Sequence, residues 1–159
     1  MSYKPILIVP GDPDSIFFEI FFKTLKKKQT KSPIILITSL NLVRKYINKY
    51  NAKVKLCEIK VSELYKQKFN KRIIYIINIK YKFNKNAKNY LNECFYEAFR
   101  ILKSGFTYKF LNGPITKKNF LDKKFLGITE FISHKFNTKK KAMLIYNKKL
   151  SVCPITTHL

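Results

Sequence analysis

Apolar positions in this chain come as short unbroken runs, separated by longer stretches in which they recur every three or four residues. Ile6, Leu7, Ile8 and Val9 form the first run, and Pro10, Gly11 and Pro13 end it, which predicts a buried strand entering a loop. Asp14 or Ser15 can cap the helix expected next. That helix takes Ile16, Ile20, Phe21 and Leu25 as its apolar stripe and Lys26, Lys27 and Lys28 at its C-terminal end. A second run over residues 33–38 predicts another strand, and Ser39 stands where it caps a helix carrying Leu40, Val43, Ile47 and Tyr50. Strands are expected over residues 53–59 and 72–78, with a polar, indistinct segment between them. After a Lys/Asn-rich loop at 80–86, Leu91, Cys94, Phe95, Ala98 and Ile101 mark the clearest amphipathic helix, which Gly105 stops.

Phe106, Tyr108, Phe110 and Leu111 then read as a buried strand that Gly113 and Pro114 terminate. Residues 128–136 are expected to be helical. Residues 142–146 and 150–155 are expected to form two strands joined by Asn147, Lys148 and Lys149. Strands alternating with helices predict an α/β fold, a mostly parallel sheet flanked by helices. The last apolar run stops without a polar tail, which raises the expectation that this sequence is the N-terminal part of a longer one.

A formal charge of +24, from 33 Lys+Arg against 9 Asp+Glu, ordinarily points to nucleic acid or an anionic membrane. Here only Arg44, Arg72 and Arg100 are arginine, and Lys, Asn, Ile, Phe and Tyr are abundant together, as AT-rich codons produce. Arginine is the residue suited to bidentate recognition of bases, so its scarcity argues against a sequence-reading role. Cys57, Cys94 and Cys153 are widely spaced and odd in number, which suits reduced residues in a cytoplasmic protein. No apolar segment approaches the ~18 residues of a membrane span.

Candidate chemistry collects after the strand that ends at Gly113. Thr116 and Lys117 follow the turn at the carboxyl end of that strand, where open α/β sheets place ligands. Lys117 can pair with a phosphate or carboxylate, and position alone sets it apart from the other lysines. A second loop, Gly127, Ile128, Thr129 and Glu130, offers a hydroxyl and a carboxylate, and the two loops suggest one pocket. His158 suits a metal ligand or general base, whereas His134 lacks an HExxH partner and reads as structural. Two histidines cannot supply the three protein ligands of a catalytic metal site. Gly11 is alone in the first loop, so neither GxGxxG nor GxxxxGK[ST] is present.

Three separated segments together resemble one family, the 4-hydroxythreonine-4-phosphate dehydrogenases of pyridoxine and pyridoxal phosphate biosynthesis. Val9, Pro10, Gly11, Asp12 and Pro13 are similar to its GDPAGIGPE-type loop. Asn112, Gly113, Pro114 and Lys117 resemble its TGP-x-x-K turn, and Gly127, Thr129, Glu130 and Phe131 its GHTEF motif. Thr156, Thr157, His158 and Leu159 resemble its TTHxPL segment, so the likeness spans the chain as the first half of the family's length.

The resemblance implies a fold like that of isocitrate and isopropylmalate dehydrogenases, with residues 1–126 in the first α/β domain and 127–159 starting the second. It implies NAD or NADP and a divalent metal (zinc, magnesium or cobalt). It implies a phosphorylated small-molecule substrate, 4-phosphohydroxy-L-threonine, oxidised and decarboxylated to 3-amino-2-oxopropyl phosphate by a homodimer. By position, His158 falls on the first metal-ligating histidine, Lys117 on the catalytic turn lysine, and Ile128 and Thr129 on substrate-contacting positions. Ile128 replaces a histidine, and Ser15, Phe17 and Phe18 replace the Gly, Gly and Pro of the first loop, which points to a divergent member. The alternatives are a relative acting on another phosphorylated hydroxy acid and a non-catalytic basic nucleic-acid-binding module. No specific nucleic acid and no membrane is expected as partner of the dehydrogenase.

Overall fold

A computed structural model describes residues 3–27, 30–82, 87–121 and 124–155. The chain divides into two compact units, Met1–Thr116 and Lys117–Leu159.

The first unit is a parallel sheet of β1 (Ile6–Val9), β2 (Ile34–Thr38), β3 (Lys55–Glu58), β4 (Ile73–Asn78) and β5 (Lys109–Asn112), in the order β3-β4-β2-β1-β5. Every pairing is parallel, with Ile6 opposite Ile34 and Lys109, and Ile74 opposite Ile34 and Leu56. The unbroken apolar runs of β1, β2 and β4 follow from cover on both faces, where no strand face is left to be polar. On one face α1 (Phe17–Lys27) and α2 (Leu40–Tyr50) close over Ile8, Ile34, Leu36, Ile74 and Ile76. α3 (Ala87–Lys103) packs against β1 and β2, and its Phe95 and Phe99 meet Phe110 of β5 edge-on at 6.1 and 5.9 Å between ring centres. β3 and β4 are joined without an α-helix, by a 3₁₀ turn at Val61–Glu63 and the buried Leu64.

Several local readings change. α1 begins at Phe17 and buries Phe17, Phe18, Phe21 and Phe22, while Ile16 and Ile20 are more than half exposed. Four phenylalanines offer far more apolar area than the isoleucine stripe, and the helix turns that larger face inward. α2 likewise buries Leu42, Val43 and Tyr46, with Leu40, Ile47 and Tyr50 at the margin. Ser39 does cap it, accepting from the Leu42 N–H, and Asn51 closes it in the left-handed conformation (φ 45°). β5 is not a buried strand: among the described strands it pairs only with β1, Tyr108 is 76% exposed and Leu111 is exposed. An edge strand covers its aromatic residues only on the side that α3 reaches.

The second unit contains α4 (Lys117–Phe120) and α5 (Ile128–Lys135), joined through edge-to-face contacts of Phe131 with Phe120 and Phe125. The two strands expected at 142–146 and 150–155 are reduced to one antiparallel bridge, in which Ile145 and Val152 exchange hydrogen bonds of 2.8 and 2.9 Å. An isolated two-stranded ribbon has too little to pack against to extend further.

α3 also buries a titratable pair. Tyr90 donates or accepts at Thr38 Oγ1 (2.6 Å) and accepts from the Ser39 N–H, and burial pushes its phenol well above the usual range. Burial pushes the Cys94 thiol up to about 12. The unfolded thiol ionises near 9 while the folded one stays protonated. The contribution of Cys94 to stability is therefore complete below pH 9 and is lost as pH rises from there toward the folded value. Alkylation of the folded chain at neutral pH is expected to modify exposed Cys153 and leave Cys94 untouched until denaturant is added. Peptide mapping after iodoacetamide treatment reads this directly.

Candidate active site

The carboxyl ends of β1 and β5 lie side by side, with Val9 opposite Asn112, and each strand runs into a glycine turn. Gly113 N–H continues the ladder by donating to Val9 O at 2.8 Å, and Asp12 N–H donates to Pro114 O at 2.9 Å. One oxygen of the Asp12 carboxylate then accepts both the backbone N–H of Thr116 (2.6 Å) and its hydroxyl (2.7 Å). The two loops are locked backbone to backbone. A Cβ on Gly113 would lie 1.8 Å from Pro10 O, and one on Gly11 would lie 2.1 Å from Pro114 O. Gly11 also sits at φ +88°, which a side chain rarely adopts.

α2 holds the first loop from a third side. The Tyr46 hydroxyl donates to Pro13 O at 2.9 Å, and burial raises its pKa, so it remains a neutral donor. Its ring stacks on Phe18 at 4.8 Å. The Ser15 hydroxyl is 3.5 Å from Phe17 N–H, long for a cap. Phe17 and Phe18, aligned from sequence with the first loop, are instead the first turn of α1 and belong to the core. Glu19 is a helix-surface residue, paired with Lys23 at 2.6 Å. That hydrogen bond holds its carboxyl below the usual range.

These loops occupy the place where an open parallel sheet receives ligands, because β2 lies on one side of β1 and β5 on the other. One Asp12 oxygen takes up both the N–H and the hydroxyl of Thr116, an arrangement that fixes the backbone leading into Lys117. Asp12→Ala removes the shared acceptor, and because the site is exposed to water the expected cost is about 1–2 kcal/mol. A shift of the urea midpoint at unchanged slope measures it.

Of the residues singled out from sequence, Lys117 is exposed and opens α4, while Ile128 and Thr129 are half-buried at the start of α5. The two helices carrying Lys117 and Thr129 are joined through the Phe120–Phe131 contact. Glu130 adds an acid to the first turn of α5, where the helix dipole favours it. His158 lies outside the described residues, with Thr156 and Thr157. Among the described residues no three His, Cys, Asp or Glu side chains gather in a way that fits a metal ion. Sequence reasoning missed two positioning contacts. The pairing of Asp12 with Thr116 joins residues 104 apart, and nothing local marks Tyr46 as the clamp on Pro13.

The sheet and its strand-end loops define the class: a parallel α/β protein with two interlocked loops at the carboxyl ends of β1 and β5. The chain belongs to the family described as pyridoxal phosphate biosynthetic protein PdxA, which it matches over residues 20–159. The turn at Gly113 and the Gly127 loop fall inside that match, and the Gly11 loop falls before it. Solved structures share the fold, among them the following two. A 4-hydroxythreonine-4-phosphate dehydrogenase from Burkholderia phymatum is 18% identical with a TM-score of 0.78, the likeness covering 100% of this chain and 51% of that one. The enzyme of the same name from Klebsiella pneumoniae is 21% identical with a TM-score of 0.74, covering 95% and 50%. The chain thus spans about half the length of the structures it matches. No curated protein matches it in sequence. The expected fold class, a mostly parallel sheet flanked by helices, is the one observed.

Proposed function

We propose that this chain supplies the first part of an NAD- or NADP-dependent, divalent-metal-dependent 4-hydroxythreonine-4-phosphate dehydrogenase, a cytoplasmic homodimer when full length. The observation that carries the reading is the family match over residues 20–159, which contains both the Gly113 turn and the Gly127 loop. In this reading 4-phosphohydroxy-L-threonine loses a hydride to the nicotinamide and a proton from its hydroxyl, and the resulting keto acid loses carbon dioxide. The metal, when bound, would polarise the substrate hydroxyl as a Lewis acid. His158 would be the ligand this chain contributes.

The residues of the chain have separable tasks. Lys117 would attract the anionic substrate, and the Asp12–Thr116 clasp holds the backbone just before it. Thr129 would hydrogen-bond substrate. Residues from 127 onward would begin the second α/β domain.

Full-length protein given 4-phosphohydroxy-L-threonine, a divalent metal and NAD or NADP is expected to form reduced nicotinamide and 3-amino-2-oxopropyl phosphate. The 159-residue chain alone is expected to form neither. Ile128 motivates a second reading, because an isoleucine cannot donate the hydrogen bond that a histidine offers at that position. Turnover of a different phosphorylated hydroxy acid, with none of 4-phosphohydroxy-L-threonine, would establish it in place of the first.

A further inference from the structure

At the opposite ends of the strands from the clasped loops lies a cavity of about 810 Å³, into which the first residues of β2, β3 and β4 (Ile34, Lys55 and Ile73) face. Lys26, Lys53, Lys55, Lys71 and Arg72 line it, and no carboxylate does. Among the described residues none of these five side chains makes an ion pair. We propose that this cavity binds a linear polyphosphate group, either inorganic or borne by a nucleotide.

Five cations around one concavity repel one another, and low-dielectric walls focus their field into the space between them, so a compact polyanion relieves the repulsion. Lys26 has a local task, opposing the dipole at the end of α1. Lys53, Lys55, Lys71 and Arg72 lie outside helices and have no such partner. The donors are of the right kind: Arg72 offers a planar fork for phosphate oxygens, and the lysines offer point charges. Asn70 Oδ1 is taken by the Arg72 N–H at 2.8 Å, which leaves the Asn70 amide hydrogens for a ligand oxygen.

The cavity is of small-ligand size. Its one aromatic residue, Phe22, is 2% exposed and presents no face for a base to stack on. Both features favour a phosphate chain over single-stranded nucleic acid. This binding needs no dehydrogenase chemistry, so its failure would leave the proposed activity untouched.

Calorimetric titration of the whole chain with inorganic tripolyphosphate tests the proposal. Saturable one-site binding is expected, weakened about tenfold or more in K53E/R72E. A control, K139E/K140E, alters the same charge at exposed lysines in the second unit and should stay within about twofold of the parent. ATP titrated in parallel identifies the source: tighter binding than tripolyphosphate indicates a nucleotide, and equal binding indicates the bare phosphate chain. Both altered residues of K53E/R72E are exposed, and an unchanged melting temperature would confirm that the variant folds. Equal weakening by the two variants, or no saturable binding, would overturn the proposal.

Discussion

Gly113→Ala is expected to cost roughly 3 kcal/mol or more, enough to remove a large share of the stability of a small domain. The added methyl would have to occupy space 1.8 Å from Pro10 O, with Pro10 C at 2.6 Å and the Phe17 ring at 2.8 Å. Two of those three atoms are backbone in the neighbouring loop, so no side-chain rotation relieves the clash. The loop must separate, and the hydrogen bonds from Gly113 to Val9 and from Asp12 to Pro114 go with it. Gly105→Ala is the control. Gly105 has φ +75° with nothing within 4 Å of an added Cβ, so only the conformational penalty of about 1–2 kcal/mol applies. Urea midpoints of the two variants separate steric overlap from backbone strain. Equal losses would mean that the interlocked loops yield easily and do not hold the Asp12–Thr116 clasp rigid.

That glycine shows what is legible in the sequence. Gly11 and Gly113 are readable as turn residues closing apolar runs, because Pro and Gly end strands for local reasons. Their purpose is not readable. The sequence marks them only as turn residues, whereas in the fold each glycine makes room for the backbone of the other loop. Partners 104 residues apart, such as Asp12 and Thr116, leave no periodicity to detect. β1, β2 and β4 are legible because burial on both faces imposes unbroken apolar runs. β5 departs from its expected burial because aromatic residues on an edge strand look the same in sequence whether one side or both are covered. The phase of α1 differs for a related reason: apolar residues surround much of the helix, and the area each face can bury decides which one turns inward. Lys117 and Thr129 stand out through motif likeness, and their helices meet through Phe120 and Phe131, a contact that neither motif announces.

The core beneath the first loop carries the other large effect. Phe18 is 1% exposed and touches Phe17, Phe22 and Tyr46, with ring centres 5.3, 6.1 and 4.8 Å away. Phe18→Ala is expected to cost about 3–5 kcal/mol, from lost burial and from a cavity that the sheet behind it cannot collapse to fill. Tyr46→Phe keeps the ring and removes only the hydroxyl that donates to Pro13 O, an expected loss of about 1–2 kcal/mol. The two changes should not be additive. Without Phe18 to stack on, the Tyr46 ring is free to shift, and its hydroxyl no longer meets Pro13 at a fixed distance. A double-mutant cycle in urea should therefore show a coupling of about 0.5–1.5 kcal/mol, the double variant losing less than the two single losses combined. Strict additivity would mean that Tyr46 holds the loop without help from the aromatic core, and that the phenylalanines of α1 stabilise the sheet without positioning the strand-end loops.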